Sequence, residues 1–248
     1  MTSSAVCCIF GQPLGQEESL TVKRALEDHI VGYLGAELWD RWSVEVTYKL
    51  KQRKKKPMGS EMKFGVNIAA PFVGMKREQP EEVYPYAKQY CVRRSEFDNL
   101  LLVVQEMADE SNATSQGSGE QKDCKLDHVL QGGNELEVTL ASKTSLVTRL
   151  KTMITGEAYR LGDYVIRIGT CKKGAVYRGA VLEMEYLPSC RVADGMSMIE
   201  AFMPYVDEGG SFSPSADLHD QRIFGSNPMY TVKHTAVQTT ELLNRIFQ

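Results

Sequence analysis

The 248-residue sequence predicts an α+β fold, in which helices flank a large, mostly antiparallel sheet that forms a β-barrel-like domain. Two features predict this class: several segments alternate apolar and polar residues, and most are separated by short turns that favour antiparallel pairing. Apolar residues make up 42% and charged residues 25% of the chain, which argues against a disordered, collagenous or membrane protein. We expect residues 1–248 to form a single domain, since β-rich chains of this length often do.

The first half of the sequence predicts one helix followed by strands. Apolar residues recur at helical spacing over 19–38, and Ser19 is a plausible N-cap for that helix. Residues 42–50 then alternate apolar and polar side chains, as in a strand with one buried face. Weaker strand patterns follow at 62–68, 84–94 and 97–108, the last of which also fits a helix at its flanks.

The middle of the sequence predicts a loop, a hairpin and a helix. Residues 109–125 are rich in Ser, Gly and acidic residues, which predicts a solvated loop or flexible insertion. Residues 126–131 and 135–140 alternate on either side of a Gly-Gly-Asn turn, which predicts a hairpin. Apolar residues at helical spacing then predict a helix over 143–154 with Ser142 as its cap.

The last third predicts two strands and two helices. Residues 163–170 and 176–187 are the longest strand patterns, and a Lys-Lys-Gly turn joins them. Helical spacing returns over 191–206 and 229–247, with a loop rich in Gly, Ser, Pro and Asp between them.

A basic run interrupts an otherwise mildly acidic chain of net charge -3. Six of the eight residues from 49 to 56 are basic: Lys49, Lys51, Arg53, Lys54, Lys55 and Lys56. We interpret Lys51 to Lys56 as a nuclear import signal or a contact for an acidic partner; a nucleic-acid-binding module and a solvated loop remain alternatives. No aromatic stacking ladder accompanies the run, which argues against a dedicated reader of single-stranded nucleic acid. We also expect no sequence-specific nucleic-acid partner.

Cysteine and histidine usage predicts neither a metal site nor a disulfide framework. The six cysteines form no Cys-x-x-Cys pair, and only four histidines are present, so we expect no metal and no cofactor. Scattered, reduced thiols fit the cytosol or nucleus. No apolar run reaches the 18–20 residues, roughly, of a membrane span, so we expect no membrane contact. We interpret His29, His128, His219 and His234 as packing or surface residues.

Alternating acidic residues raise the possibility of a catalytic tunnel. Glu183 and Glu185 lie two apart on a predicted strand, so both carboxylates lie on one face. Three further acids fall on other predicted strands (Glu135, Glu137 and Glu45), and beside Arg160 and Arg167 they could hold a divalent metal and a polyphosphate. Such a site would make a tunnel-type RNA 5′-triphosphatase. That family has a Glu-x-Glu-x-Lys pattern near its amino terminus, and here Thr47 stands where its second carboxylate would be. A solvated strand face is the alternative interpretation, and we predict no catalytic residue.

The carboxyl half resembles subunit 20 of the Mediator complex, and it is most similar to plant or algal members of that family. A Gly-Asp-aromatic strand, an Arg-Gly turn, a Glu-x-Glu-Tyr strand and a final Gln-containing helix occur in that family's order within 126–248. The motif positions, which we expect to be structural or interface residues, are Gly162, Asp163, Tyr164, Arg178, Gly179, Glu183, Glu185, Tyr186, Pro188, His234 and Gln238.

The resemblance implies a non-catalytic adaptor between regulators and RNA polymerase II, located in the nucleus. It implies a place in the Mediator head module beside other head subunits, pairing with subunit 18 and through it with subunit 8. Contact with TATA-binding protein is implied for some members of the family. The family's barrel is similar to tunnel-type RNA triphosphatases, which accounts for the Glu-x-Glu strand without catalysis. The alternative is a metal-dependent triphosphatase that uses Glu183 and Glu185.

Overall fold

The computed structural model describes residues 5–51, 86–107, 126–218 and 229–247. These ranges contain nine strands and four helices. In chain order they are β1 (Val6–Pro13), α1 (Gln16–Gly32), β2 (Glu37–Lys51), β3 (Tyr86–Arg94), β4 (Leu101–Met107), β5 (Leu126–Gly132), α2 (Asn134–Lys143), β6 (Leu146–Leu161), β7 (Tyr164–Lys173), β8 (Val176–Tyr186), α3 (Val192–Val206), β9 (Ser213–Pro214) and α4 (Val232–Ile246).

All nine strands form one sheet in the order β5-β4-β3-β2-β6-β7-β8-β1-β9. Every neighbouring pair is antiparallel, which confirms the predicted α+β class. Among the described residues no strand pairing joins β5 to β9, so the sheet is open and resembles a barrel only loosely. Helix α4 contacts β1 near one end of the sheet and β3, β4 and β5 at the other, so it spans the gap.

The sheet register defines two faces, each covered by its own helices. The inner face carries Arg167 and Glu183, which are opposite each other on β7 and β8, and α4 packs against this face. The outer face carries α1 over β7 and β8, and α3 over β1 and β8. Small residues allow close contact on both sides: a Cβ at Gly11 would meet the Leu242 side chain of α4, and a Cβ at Gly195 of α3 would meet Val6.

Most predicted elements are confirmed, with shifted ends. The helix predicted over 19–38 is α1, which ends at Gly32, and residues 37 and 38 already belong to β2. The strands predicted at 84–94 and within 97–108, the hairpin strands 163–170 and 176–187, and the helices at 191–206 and 229–247 all occur. The strand predicted at 62–68 and the insertion predicted at 109–125 lie outside the described residues.

In two adjacent segments, the structure has a strand where a helix was predicted and a helix where a strand was predicted. The helix predicted over 143–154 is wrong, since residues 146–161 form β6 and pair with both β2 and β7. The strand predicted over 135–140 is also wrong, since residues 134–143 form α2, although its hairpin partner 126–131 is β5. In β6, pairing with two neighbouring strands outweighs the local helical spacing.

No helix in the described part of the chain combines the length and the apolar composition needed to cross a membrane.

Candidate functional site

Five charged side chains come together on the inner face around Glu183. Arg167 of β7 is directly opposite Glu183 of β8, and Glu185 follows two residues later on the same face, as period two requires. Arg94, the last residue of β3, reaches the same point from across the sheet, and Glu96 follows it in the next turn. We call these residues the Glu183 cluster: Arg94, Glu96, Arg167, Glu183 and Glu185.

Direct hydrogen bonds link all five members of the Glu183 cluster. Glu183 Oε1 accepts from Arg94 Nη2 at 2.6 Å and from Arg167 Nη1 at 2.7 Å. Arg167 Nη2 donates to Glu185 at 2.8 Å, and Arg94 Nη2 donates to Glu96 at 2.6 Å. The Glu183 and Arg94 side chains are 1% and 2% exposed, against 21% for Glu185 and 24% for Glu96, so the central pair is removed from solvent.

The electrostatics of the cluster favour charged side chains despite burial. Burial disfavours the Glu183 carboxylate, but the positive charges of Arg94 and Arg167 outweigh this effect and hold the pKa of Glu183 below its usual value. Burial also disfavours both guanidinium ions, and the neighbouring carboxylates, chiefly Glu183, reverse that effect, so both pKa values lie above normal. Glu183 is therefore ionised at neutral pH, and the neighbouring arginines balance its negative charge.

This arrangement explains the Glu-x-Glu pattern as a structural ion-pair network. Glu183 Oε1 and Glu185 Oε2 already accept charge-assisted hydrogen bonds from arginine, while the second Glu183 oxygen, Oε2, is buried and accepts none from either arginine. Across the described ranges, no group of three or more His, Cys, Asp or Glu residues is arranged to hold a metal ion. An arginine-paired carboxylate is a poor ligand until the guanidinium moves away.

The structure separates the other predicted carboxylates from this cluster. Glu135 and Glu137 lie on helix α2 rather than on a strand, so the expected second Glu-x-Glu strand is wrong. Glu137 instead pairs with Arg93 at 2.5 Å and with Lys49 at 3.2 Å. On the outer face, Glu45 pairs with Lys151.

Arg160 is also separate from the Glu183 cluster. The Arg160 guanidinium lies 5.0 Å above the Trp39 ring. Of the basic run, Lys49 and Lys51 lie in β2, and Arg53, Lys54, Lys55 and Lys56 lie outside the described residues.

Among the predicted motif positions, Gly162, Asp163 and Tyr164 build the turn from β6 into β7. Gly162 has φ +56°, a left-handed conformation that favours glycine, and the Asp163 carbonyl accepts the Leu187 N–H at 2.9 Å. The Tyr164 ring stacks on Phe202 of α3 at 4.5 Å between centroids. This turn therefore holds α3 against the end of the β7–β8 hairpin.

Four further motif positions lie along β8 and its end. Gly179 is required by close packing, since a Cβ there would lie 2.6 Å from the Gln12 carbonyl oxygen of β1. The neighbouring Arg178 carbonyl accepts the Leu14 N–H at 3.1 Å. The Tyr186 ring lies 5.2 Å from that of Tyr164, and Pro188 is exposed in the turn after β8.

The two motif residues of α4 bind the helix to the edge of β1. The Gln238 side chain accepts the Ile9 N–H at 2.9 Å and donates to the Cys7 carbonyl at 2.9 Å, so it replaces a neighbouring strand. Nδ1 of His234 accepts the Thr231 N–H at 3.1 Å, which closes the first turn of α4. Burial holds the pKa of His234 below its usual value, so the ring is neutral at pH 7.

The other histidines and the thiols are not among the motif positions. His29 of α1 contacts the Tyr205 carbonyl of α3 at 2.8 Å, His128 lies in β5, and His219 lies outside the described residues. The described cysteines are unpaired and mostly buried. Burial raises the pKa of Cys8 to about 12, so this thiol stays protonated and is a poor nucleophile.

The sequence analysis predicts that Glu183, Glu185 and Arg167 lie close together, but it does not include Arg94. Arg94 lies 89 residues from Glu183 in the sequence and one residue from another arginine, so no local pattern distinguishes the buried arginine from its neighbour. Its burial depends on which face of β3 turns inward, and the register with β2 fixes that choice.

Comparison with known proteins identifies both a family and individual relatives. Residues 1–244 match the family described as TATA-binding related factor (TRF) of subunit 20 of Mediator complex. Mediator of RNA polymerase II transcription subunit 20b of Arabidopsis thaliana is 28% identical over 118 residues, which cover 44% of this chain and 53% of the relative. Mediator of RNA polymerase II transcription subunit 20 of Xenopus laevis is 33% identical over 93 residues, which cover 37% of this chain and 41% of the relative. The matched region thus spans about half the length of these relatives.

Two solved structures match this chain at low sequence identity. The PH1012 protein from Pyrococcus horikoshii OT3 superposes with a TM-score of 0.41 at 10% identity, over 84% of this chain and 94% of that one. The Schizosaccharomyces pombe Mediator head module superposes with a TM-score of 0.37 at 11% identity, over 82% of this chain and 92% of that one. Because both TM-scores are below 0.5, the assignment rests on the sequence match alone. Since that match extends over nearly the whole chain, the chain belongs to the family of subunit 20 of the Mediator complex.

Proposed function

We propose that this chain is a non-catalytic subunit of the Mediator transcription coactivator, acting in the nucleus as an adaptor between regulators and RNA polymerase II. The family match over residues 1–244 is the observation that carries the proposal. The Glu183 cluster supports it, because its central carboxylate is buried and paired with arginine rather than open to a substrate.

The proposed position is the Mediator head module, beside its other subunits. Subunit 18 is the proposed direct partner, with subunit 8 reached through it, and RNA polymerase II and TATA-binding protein are proposed further contacts. Purification of the tagged full chain from nuclear extract, followed by identification of the associated chains, tests this position. We expect subunits 18 and 8 at stoichiometric yield. Recovery of the tagged chain without any Mediator subunit would overturn the proposal.

The triphosphatase alternative is tested by a direct assay. Phosphate release from RNA with a 5′-triphosphate is measured with Mg²⁺ or Mn²⁺, using the full chain and its Glu183→Gln variant. We expect release at the level of the buffer for both proteins, because Glu183 is buried and both Glu183 and Glu185 are paired with arginine. Release by the full chain that Glu183→Gln abolishes would show that the protein is an enzyme.

The role of the basic run is tested separately. We propose that Lys51, Arg53, Lys54, Lys55 and Lys56 act in nuclear import or contact an acidic partner. Alanine at Lys54, Lys55 and Lys56 should reduce nuclear accumulation of the fluorescently tagged chain. Alanine at three exposed bases elsewhere, Lys143, Arg149 and Lys151, is the matched control and should leave accumulation unchanged. Equal accumulation of both variants would contradict the proposal.

A further inference from the structure

An apolar groove lies on the side of the molecule where α3, β1 and the segment after α3 meet. Its volume is about 690 Å³. Its floor is formed by side chains from each of these elements: Phe10, Met196, Ile199, Met203, Phe212 and Pro214. Unbranched methionine side chains adapt to different apolar surfaces, which suits a binding surface.

The rim of the groove is acidic. Residues 192–218 contain five acidic residues and no basic residue. Four of the five line the groove: Glu200, Asp207, Glu208 and Asp217. Glu200 and Glu208 are exposed, and within the described ranges neither carboxylate takes part in an ion pair.

Among the described residues, the one basic residue that borders the groove is already engaged. The Arg245 guanidinium of α4 donates to the carbonyl oxygens of Ser213 and Ser215. It therefore holds the segment after α3 in place, while the exposed rim carboxylates face solvent. A complementary ligand would carry positive charge on either side of an apolar surface.

The edge of β1 beside the groove has little capacity to pair with another strand. Gln238 satisfies the Ile9 N–H and the Cys7 carbonyl, and the Ser215 N–H donates to the Ile9 carbonyl at 2.8 Å. Beyond Ile9, residues 10 and 11 pair with β9. A segment in this groove therefore cannot add a strand to β1, which favours a segment that satisfies its own backbone hydrogen bonds, as a helix does.

We propose that this groove binds an amphipathic helix of a partner protein, with apolar residues on one face and Lys or Arg residues flanking them. The inference goes beyond membership of Mediator, because binding can be measured with the full chain and no Mediator subunit present. Failure to join Mediator and failure to bind the helix are therefore distinguishable.

The first test uses two synthetic helical peptides with the same leucine face. One carries lysine on its polar face and the other carries glutamate, and each is titrated with the full chain by fluorescence anisotropy. We expect the lysine peptide to bind at least tenfold more tightly than the glutamate peptide, with a difference that shrinks at high salt. Equal affinity, or no binding of either peptide, would overturn the proposal.

The location of binding is tested with methionine methyl groups labelled with ¹³C. Met196 and Met203 line the groove, whereas Met153 is exposed on β6 and Met184 is buried in β8. We expect the lysine peptide to shift the Met196 and Met203 resonances and leave the other two unchanged. Shifts at Met153 without shifts at Met196 and Met203 would show non-specific attraction to the acidic chain.

Two variants test separately how the acidic rim and the apolar floor of the groove contribute to peptide binding. Reversal of charge in Glu200→Lys/Glu208→Lys should weaken binding of the lysine peptide about tenfold. The matched control, Glu37→Lys/Asp98→Lys, makes the same charge change at exposed acids outside the groove and should bind normally. Ala216→Trp should block the groove while keeping its charges, with near-UV circular dichroism confirming that it folds. Normal binding by either groove variant would contradict the proposal.

Discussion

At the scale of single residues, Glu183 pairs with two arginines in the interior of the sheet. Its one carboxylate oxygen accepts from both guanidinium groups, at 2.6 and 2.7 Å, while Glu185 and Glu96 bind the same arginines nearer to solvent. The three carboxylates are therefore not equivalent. Loss of the central one leaves the buried Arg94 guanidinium with only the more exposed Glu96 as a partner, and loss of an outer one leaves a gap that water can reach.

Replacement of Glu183 should be far more costly than replacement of Glu185. We expect Glu183→Gln to lower the free energy of unfolding by about 3–5 kcal/mol, the usual cost of removing one partner of a buried ion pair. Glu185→Gln is the matched control and should cost about 1 kcal/mol, because its side chain is 21% exposed. Urea unfolding of both variants measures the difference, and equal midpoints would contradict the central role of Glu183.

The same carboxylate makes stability depend on pH. Its pKa is lower in the folded chain than in the unfolded chain, so its contribution is complete above the ordinary glutamate value of about 4.3. That contribution is lost as the pH falls through the lower pKa of the folded state. We therefore expect the stability gap between wild type and Glu183→Gln to narrow as the pH falls from 7 to 3. Urea midpoints across that range test this, and a constant gap would contradict it.

Sequence reasoning could predict part of this cluster because strand geometry is local. The spacing of Glu183 and Glu185 and the short turn after β7 place Arg167 opposite them. Arg94 could not be predicted, because its position depends on the order of the strands in the sheet. That order is set by pairings between distant segments, such as β2 with β6.

At the scale of elements, the two wrong predictions both rest on short apolar spacings that do not distinguish a helix from a strand. Leu136 and Leu140 are four residues apart, a spacing that both a helix face and a strand face allow. In the structure they pack as i and i+4 of α2, while Val138 is 71% exposed. In β6, Ile154 is buried and its neighbour Met153 is 39% exposed, so the apparent helical spacing there is coincidental.

A pair of glycines brings β6 and β7 into close contact beneath Trp42. Gly156 is opposite Gly169 in the register, and a Cβ at Gly156 would lie 1.9 Å from the Ile168 carbonyl oxygen. A Cβ at Gly169 would lie 2.8 Å from the Trp42 ring. Both positions therefore need glycine because of space rather than because of φ.

Alanine at Gly156 should destabilise the protein because a backbone atom cannot move aside as a side chain can. We expect Gly156→Ala to lower the melting temperature and to cost about 1–3 kcal/mol. Gly32→Ala is the matched control: nothing lies within 4 Å of its new Cβ, and the helical position favours alanine by about 1 kcal/mol. Thermal unfolding should move in opposite directions, and a shift of the same sign would contradict this account.

At the scale of the whole molecule, α4 completes an enclosure that the strands leave open. Ten of its fifteen residues are buried: His234, Thr235, Ala236, Val237, Gln238, Thr239, Thr240, Leu242, Leu243 and Ile246. The helix contacts both ends of the sheet, through β1 on one side and β3 to β5 on the other. The inner core therefore depends on one helix as well as on the hydrogen bonds between strands.

Truncation before Val232 should abolish cooperative folding. Without α4, the inner face and the edge of β1 lose their cover, so we expect a broad thermal transition and strong binding of a hydrophobic dye. Calorimetry and dye fluorescence measure this. Truncation after Ile246 is the control and should unfold cooperatively. A sharp transition in the shorter variant would show that the sheet is stable without the helix.

The contact between Gln238 and β1 also has a consequence for synthesis on the ribosome. β1 lies between β8 and β9 in the sheet. It is the first described strand to be synthesised, and its partner strands are synthesised about 170 residues later. The Ile9 N–H and the Cys7 carbonyl of β1 are bound by Gln238, which is translated later still. The nascent chain thus carries an unpaired apolar strand through most of its translation, and contacts of such long sequence separation form slowly. Chaperone dependence during translation is the expected cost of this topology.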